Sequence, residues 1–191
     1  MALVLGSGSP RRLELLRMIG FEDFKVIADT SEEEITPGLS PEQTVCEIAL
    51  KKARNVSLLC EKDDIILAAD TLVYLDGQPI GKPMDAEDAA AILRRLSGRR
   101  HTVYTGIALL RGCSHLTDVE MTDVFFREIS DEEISAYIDT GEPMDKAGAY
   151  GVQGLAAVFI KRIEGDFFNV MGLPLCRLHA MLQRSSTAIE N

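Results

Sequence analysis

Gly6-Ser7-Gly8-Ser9-Pro10-Arg11-Arg12 sets a glycine- and serine-rich turn directly before two arginines. Where such a turn runs into a helix, free main-chain N–H groups point outward and the helix dipole adds positive potential. Arginines in a first helical turn oppose that dipole, and a bound anion would repair the mismatch. The plainer alternative is a capped helix with two solvated arginines. Neither G-x-x-x-x-G-K nor G-x-G-x-x-G is present, so this is not one of the common phosphate loops. Asp70-Thr71 places a carboxylate and a hydroxyl at the end of the apolar run Ile65–Ala69. Ligands gather beyond strand carboxyl ends in open α/β sheets, although an aspartate there also caps turns.

Other stretches add cations, acids and amides. Gly81-Lys82-Pro83 holds one lysine between a glycine and a proline. Lys51-Lys52 lies late in an expected helix, where Glu47 offers an ordinary surface partner. Glu32-Glu33-Glu34 is a solvated acidic loop on the plain reading, and on the functional one a source of oxygen ligands for magnesium. From Lys146 to Gly154 the chain is rich in Gly and Ala, so main chain can approach a ligand closely. Gln153, within it, carries both a donor and an acceptor and suits the edge of a nucleobase. His101, His115 and His179 sit in no motif, and no serine–histidine pair suggests itself.

The elements that must position these residues follow from patterning. Ala2–Leu5 is expected as a short buried strand, with Ser9 as N-cap and Pro10 opening a helix that Gly20 stops. Phe24–Ala28 reads as a second strand, and Asp29–Glu34 as an acidic loop. Ser40 and Gln43 form a capping box for a helix to about Cys60, with Val45, Ile48, Ala49, Val56 and Leu59 inward. Ile65–Leu75 is a strand turning at Asp76-Gly77, and Asp85–Leu96 a helix stopped by Gly98. Strands Thr102–Leu110 and Asp118–Arg127 precede a helix capped by Ser130 and Glu133 that ends at Gly141. Ala156–Ile163 and Phe167–Met171 read as strands, and Pro174 to about Arg184 as the last helix. Helices interleave with hairpin-like strands, which favours an α/β fold with a mixed twisted sheet and helices on its faces. The expected organisation is a single domain over 1–184 and a frayed tail over 185–191.

Composition narrows the classes. Thirty acidic residues against twenty basic ones give a net charge of −10, which argues against a general nucleic-acid binder. A small anionic substrate needs only a local cluster of cations. No apolar run approaches the ~20 residues that cross a bilayer. Cys46, Cys60, Cys113 and Cys176 lack zinc-ligand spacing and read as free thiols of a reducing compartment, so no membrane and a cytoplasmic location are expected.

Several blocks then occur in a telling order: Ser7-x-Ser9-Pro10-Arg11-Arg12, Ala69-Asp70-Thr71, Gly81-Lys82-Pro83, Leu96-Ser97-Gly98, Glu142 through Gly154, and Gly165 through Pro174. Together they resemble the Maf family of nucleoside triphosphate pyrophosphatases, from about Leu3 to Leu182. Gly6 stands where that family more often has Ala. The resemblance implies two lobes flanking a central cleft, often in a homodimer. It implies hydrolysis between the α- and β-phosphates of a nucleoside triphosphate, with a divalent metal, magnesium or manganese. Asp70 falls on the family's proton acceptor and Glu33 on one of its polar active-site positions, and the metal is expected near these two carboxylates. Ser7, Arg11, Arg12, Lys52 and Lys82 fall on substrate-binding positions. Arg12, Thr71 and Gln153 match the branch that prefers dTTP and UTP. A branch acting on modified purine nucleotides, and arrest of septum formation by protein binding, are the alternatives the family offers.

Overall fold

A computed structural model describes residues 2–29, 31 and 35–189, with side chains described as far as Arg184. Glu32, Glu33 and Glu34, and with them the expected metal ligand Glu33, lie outside the described residues. Among those described, the strands are β1 (Leu3–Leu5), β2 (Lys25–Val26), β3 (Ile65–Leu75), β4 (Gln78–Ile80), β5 (Arg100–Arg111), β6 (Ser114–Phe126) and β7 (Ile160–Glu164). They form one sheet in the order β2-β1-β3-β5-β6-β7, with β4 paired to β3. β1 is parallel to β2 and to β3, whereas β3–β4 and β6–β7 are antiparallel, so the sheet is mixed as expected. The helices are α1 (Pro10–Met18), α2 (Pro41–Ser57), α3 (Ala86–Leu96), α4 (Asp131–Ile138), α5 (Phe167–Met171) and α6 (Leu175–Ile189).

The chain divides into two compact units. The first comprises Met1–Asp70, Thr105–Glu120 and Gly172–Asn191; the second comprises Thr71–Tyr104 and Met121–Met171. In the first, α2 lies on the sheet: Ala49, Ala53 and Val56 pack with Val4, Ile66, Ala68, Ala108 and Leu110. That apolar face recurs at the three- and four-residue spacing of a helix. Ser40 starts α2 with a reciprocal capping box, its hydroxyl accepting from Gln43 N while its own N–H donates to the Gln43 side chain. β5 presses on the amino-terminal part of α2 so closely that a Cβ on Gly106 would lie 2.4 Å from the Val45 carbonyl carbon. Only glycine fits there.

In the second unit α3 and α4 pack together, α4 starting from the Ser130–Glu133 capping box. An aromatic cluster fills the core: His101, Tyr150 and Phe126 meet edge to face, and Phe159 joins them and Tyr137. His101 is buried, and its Nε2 lies 2.8 Å from the Tyr150 hydroxyl. Burial pulls its pKa down to about 4 against the weaker pull of Asp123, so the imidazole is neutral.

Four expectations are corrected. Phe167–Met171 is the helix α5, not a strand, because Asp166 Oδ1 accepts from Phe168 N at 2.8 Å and caps it. The run after Gly154 winds as a 3₁₀ helix over Leu155–Phe159 and becomes strand only at Ile160; an apolar run without alternation has no period to separate the two. Leu59 is 72% exposed, not inward. α2 ends at Ser57, and the bonds Leu59 N to Val56 O and Cys60 N to Ser57 O tighten the chain and turn that side chain out. Finally, α6 continues to Ile189 where its end was expected near Arg184.

Candidate functional site

The first unit gathers its candidates at the carboxyl ends of parallel strands. β1 and β3 run in register from Leu3↔Ile65 to Leu5↔Leu67, and Gly6 N donates to Leu67 O at 2.7 Å. Ser7 therefore leaves β1 beside the stretch of β3 that leads to Asp70. Ser9 occupies the N-cap of α1, but its side chain makes no capping bond. Ser7 does that turn's work: its hydroxyl accepts from Ser9 N and from Arg12 Nη1, each at 3.2 Å. Arg12 Nε donates to the Gly172 carbonyl at 2.8 Å, so the guanidinium is held from two sides and is not a freely solvated arginine. Arg11 stands beside it in the first turn of α1, partly exposed and engaged by neighbours.

Lys52 and Asp70 form the central pair, with Nζ 2.7 Å from Oδ1 and side chains only 13% and 4% exposed. Their positions follow from α2 lying over β3. Both charges would be costly to bury alone, and each offsets the other. The second carboxylate oxygen, Asp70 Oδ2, is buried and has no hydrogen-bond partner. A buried anionic oxygen of that kind calls for a proton donor or a cation. Asp29 adds a second acid within reach of the Lys52 charge. Burial raises the Asp29 carboxyl, but bonds from the Ser31 main chain and hydroxyl, the Asn55 amide and the field of Lys52 outweigh it, so it titrates below its ordinary range. Asn55 Nδ2 reaches both Asp29 Oδ2 at 3.3 Å and Ser31 Oγ at 3.1 Å, tying the start of the acidic loop to α2.

The second unit presents a different set. β3 and β4 pair as Val73↔Ile80 and Leu75↔Gln78 about the Asp76-Gly77 turn. β4 ends at Ile80, and Lys82 follows two residues after it. Gly148 N donates to Gly81 O at 3.0 Å, which ties the glycine-rich stretch to the residue before Lys82. Lys82 and Gln153 are exposed, and Thr71 is half-buried. Gln153 rides on a turn closed by Gly154 N donating to Gly151 O at 3.1 Å.

The Maf-like protein family matches residues 2–185 of this chain. The chain belongs to the Maf family. Among relatives, a dTTP/UTP pyrophosphatase of Symbiobacterium thermophilum is 50% identical over 180 residues, covering 94% of this chain and 92% of that one. Proteins of the same name from Dictyoglomus turgidum and Caldicellulosiruptor saccharolyticus are 48% identical over 185 residues and 44% identical over 187, covering 95% of this chain and 95% and 94% of theirs. A HAM1 protein from Coxiella burnetii shares the fold, with a TM-score of 0.50, 18% identity, and coverage of 95% of this chain and 98% of that one.

Within this Maf chain, the first unit pairs Arg12 with Ser7 and Lys52 with Asp70, and the second unit carries Thr71, Lys82 and Gln153. Sequence reasoning missed three contributors. The Gly172 carbonyl orients Arg12 from 160 residues away, which no local pattern signals. Asp29 was visible only as the start of an acidic run. Glu142 lies within a quoted block, yet nothing in its spacing says that its carboxylate accepts from Tyr137 Oη at 2.9 Å and from Leu155 N at 3.0 Å. No helix among the described residues is long and apolar enough to cross a membrane, and no cluster of three or more His, Cys, Asp or Glu there would hold a metal by itself.

Proposed function

We propose that this Maf protein hydrolyses dTTP and UTP to the nucleoside monophosphate and pyrophosphate. The supporting observation is the Lys52–Asp70 pair, in which one carboxylate oxygen is spent on the lysine and the other is buried without a partner. Asp70 Oδ2 accepts the proton of a water whose oxygen bonds to the α-phosphorus. The bond from that phosphorus to the α,β-bridging oxygen breaks, and pyrophosphate carries away the electron pair. Ser7, Arg11, Arg12, Lys52 and Lys82 hold phosphate oxygens, each charge-assisted bond contributing roughly 1.5–3 kcal/mol. Thr71 and Gln153 meet the nucleoside, Gln153 pairing its amide with the N3–H and a carbonyl of uracil or thymine.

A divalent cation, magnesium or manganese, fits the donor set: Asp70 Oδ2 has both lone pairs unpartnered, so one could face the ion while the other faces the attacking water, and such ions complete their shells with water and substrate phosphate. Asp70 and Glu33 would hold it, and when bound it supplies positive charge to the polyphosphate. The protein works as a cytoplasmic homodimer, which sedimentation velocity checks.

The decisive experiment measures pyrophosphate release from dTTP, UTP, CTP, GTP and inosine triphosphate, with magnesium, with manganese and with neither. Highest kcat/KM for dTTP and UTP, and dependence on the metal, are expected. A preference for the purine nucleotides would overturn the assignment of substrate.

A further inference from the structure

A glutamine amide alone is a poor judge between pyrimidines. Its oxygen and nitrogen face the N3–H and carbonyl of uracil; turned over, the same group faces the N3 and amino group of cytosine equally well. Turning over is a rotation about the side chain's last bond, which the main chain does not control; what the main chain sets is how far and at what angle the amide reaches the base edge, and selection is lost where that approach is loose. In this protein one side-chain pair fixes that main chain from both ends. Tyr137 Oη accepts from Gly151 N at 3.4 Å, at the entry of the turn that carries Gln153. Glu142 Oε2 accepts from Leu155 N at 3.0 Å, at its exit. The two holders are themselves joined, Tyr137 donating to Glu142 Oε1 at 2.9 Å.

The fit around this pair is close. A Cβ on Gly154 would lie 2.2 Å from Glu142 Oε1, and one on Gly151 would lie 2.9 Å from Lys146 Cε. Lys146 Nζ in turn bonds the Glu142 carbonyl oxygen and Asp145. Tyr137 is buried, and burial followed by the Glu142 carboxylate drives its phenol well above the ordinary tyrosine range, so the donor keeps its proton.

We propose that Glu142 and Tyr137 are positioning residues for base selection, the fixed reference from which Gln153 separates uracil and thymine from cytosine. This rests on the reading of Gln153 as the side chain that meets the base. Neither residue is asked to touch the substrate.

The test compares kcat/KM for UTP and CTP in the wild type, Tyr137→Phe, Glu142→Ala, Glu142→Gln and Gln153→Ala, with the unfolding temperature of each. Tyr137→Phe removes a single oxygen and keeps the aromatic packing. It is expected to shrink the UTP-over-CTP preference about three- to tenfold, with the change in KM more than in kcat. Glu142→Ala should do the same or more. Glu142→Gln keeps an acceptor for Leu155 N and should retain most of the preference. Should Tyr137→Phe slow both nucleotides equally and leave their ratio unchanged, the pair is merely structural and the proposal is overturned; this holds even where Glu142→Ala does not fold. A wild type that turns over UTP and CTP equally also overturns it. If instead Gln153→Ala leaves the ratio untouched, the underlying reading of Gln153 has failed, an outcome distinct from failure of the pair alone.

Discussion

The two units handle polar chemistry in opposite ways. In the first, charge is matched inside the protein: Lys52 with Asp70, both largely buried, and Arg12 between Ser7 and the Gly172 carbonyl. In the second, Lys82 and Gln153 stand exposed, and the neutral Tyr137, Tyr150 and His101 are among the buried polar groups. The contrast fits the roles proposed for these residues, Lys82 being the second unit's one proposed phosphate contact. Polyphosphate carries several charges and is gripped well by groups already oriented, because little ordering remains at binding. A base edge is nearly neutral, and choosing among bases calls for a main chain that does not yield.

Breaking the first unit should cost most. Asp70→Asn keeps size and shape but cannot accept the proton; kcat is expected to fall by roughly 10²–10⁴ with the fold intact by circular dichroism. Near-normal turnover would remove Asp70 from the chemistry. Lys52→Met strands a buried carboxylate, and a loss of about 3 kcal/mol in urea unfolding is expected at pH 7. If stability is unchanged, the pair is not matched in the way described.

The second unit should show its buried neutral groups through pH. The unfolded His101 imidazole takes a proton below about 6.5, whereas the folded one stays neutral down to about 4. Between those values the unfolded chain binds more protons, so the stability His101 contributes is complete above pH 6.5 and drains away as pH falls towards 4. The size is about 3 kcal/mol, and His101→Phe should flatten that part of the urea-midpoint profile. An unaltered profile would mean that water reaches the ring. The smallest effect separates two helix starts. Ser40→Ala should cost about 1 kcal/mol, and Ser9→Ala under about 0.5 kcal/mol, because only Ser40 makes the capping bond. Equal losses in thermal unfolding would contradict the assignment of that turn to Ser7.

What could be read from the residues alone follows the range of the forces involved. Both capping boxes and the Asp76-Gly77 hairpin are local, and Ser40, Ser130 and the turn stand where patterning puts them. α5 could not be read, since five residues, four of them apolar, are too few to show a period and only the Asp166 cap selects the helix. Leu59 was misassigned because the pattern cannot see where a helix tightens and stops. Within the site, Lys52 and Asp70 were each visible as residue types in suggestive places, but their pairing spans 18 residues and depends on α2 lying across β3. The role of Glu142 depends on a fold that brings Tyr137 and Leu155 to one carboxylate, and neither charge nor spacing announces that.

The close passage of β5 under α2 has an effect at a distance. Lys52 stands about two helical turns beyond Val45, the residue that Gly106 almost touches. Adding even one methyl group at position 106 would act as a wedge under one end of a beam, tilting the helix and swinging the ammonium group off its aspartate. A site remote from every reacting atom would then govern turnover by leverage alone, and a mutational library that varied residue 106 would record it as essential although it does no chemistry.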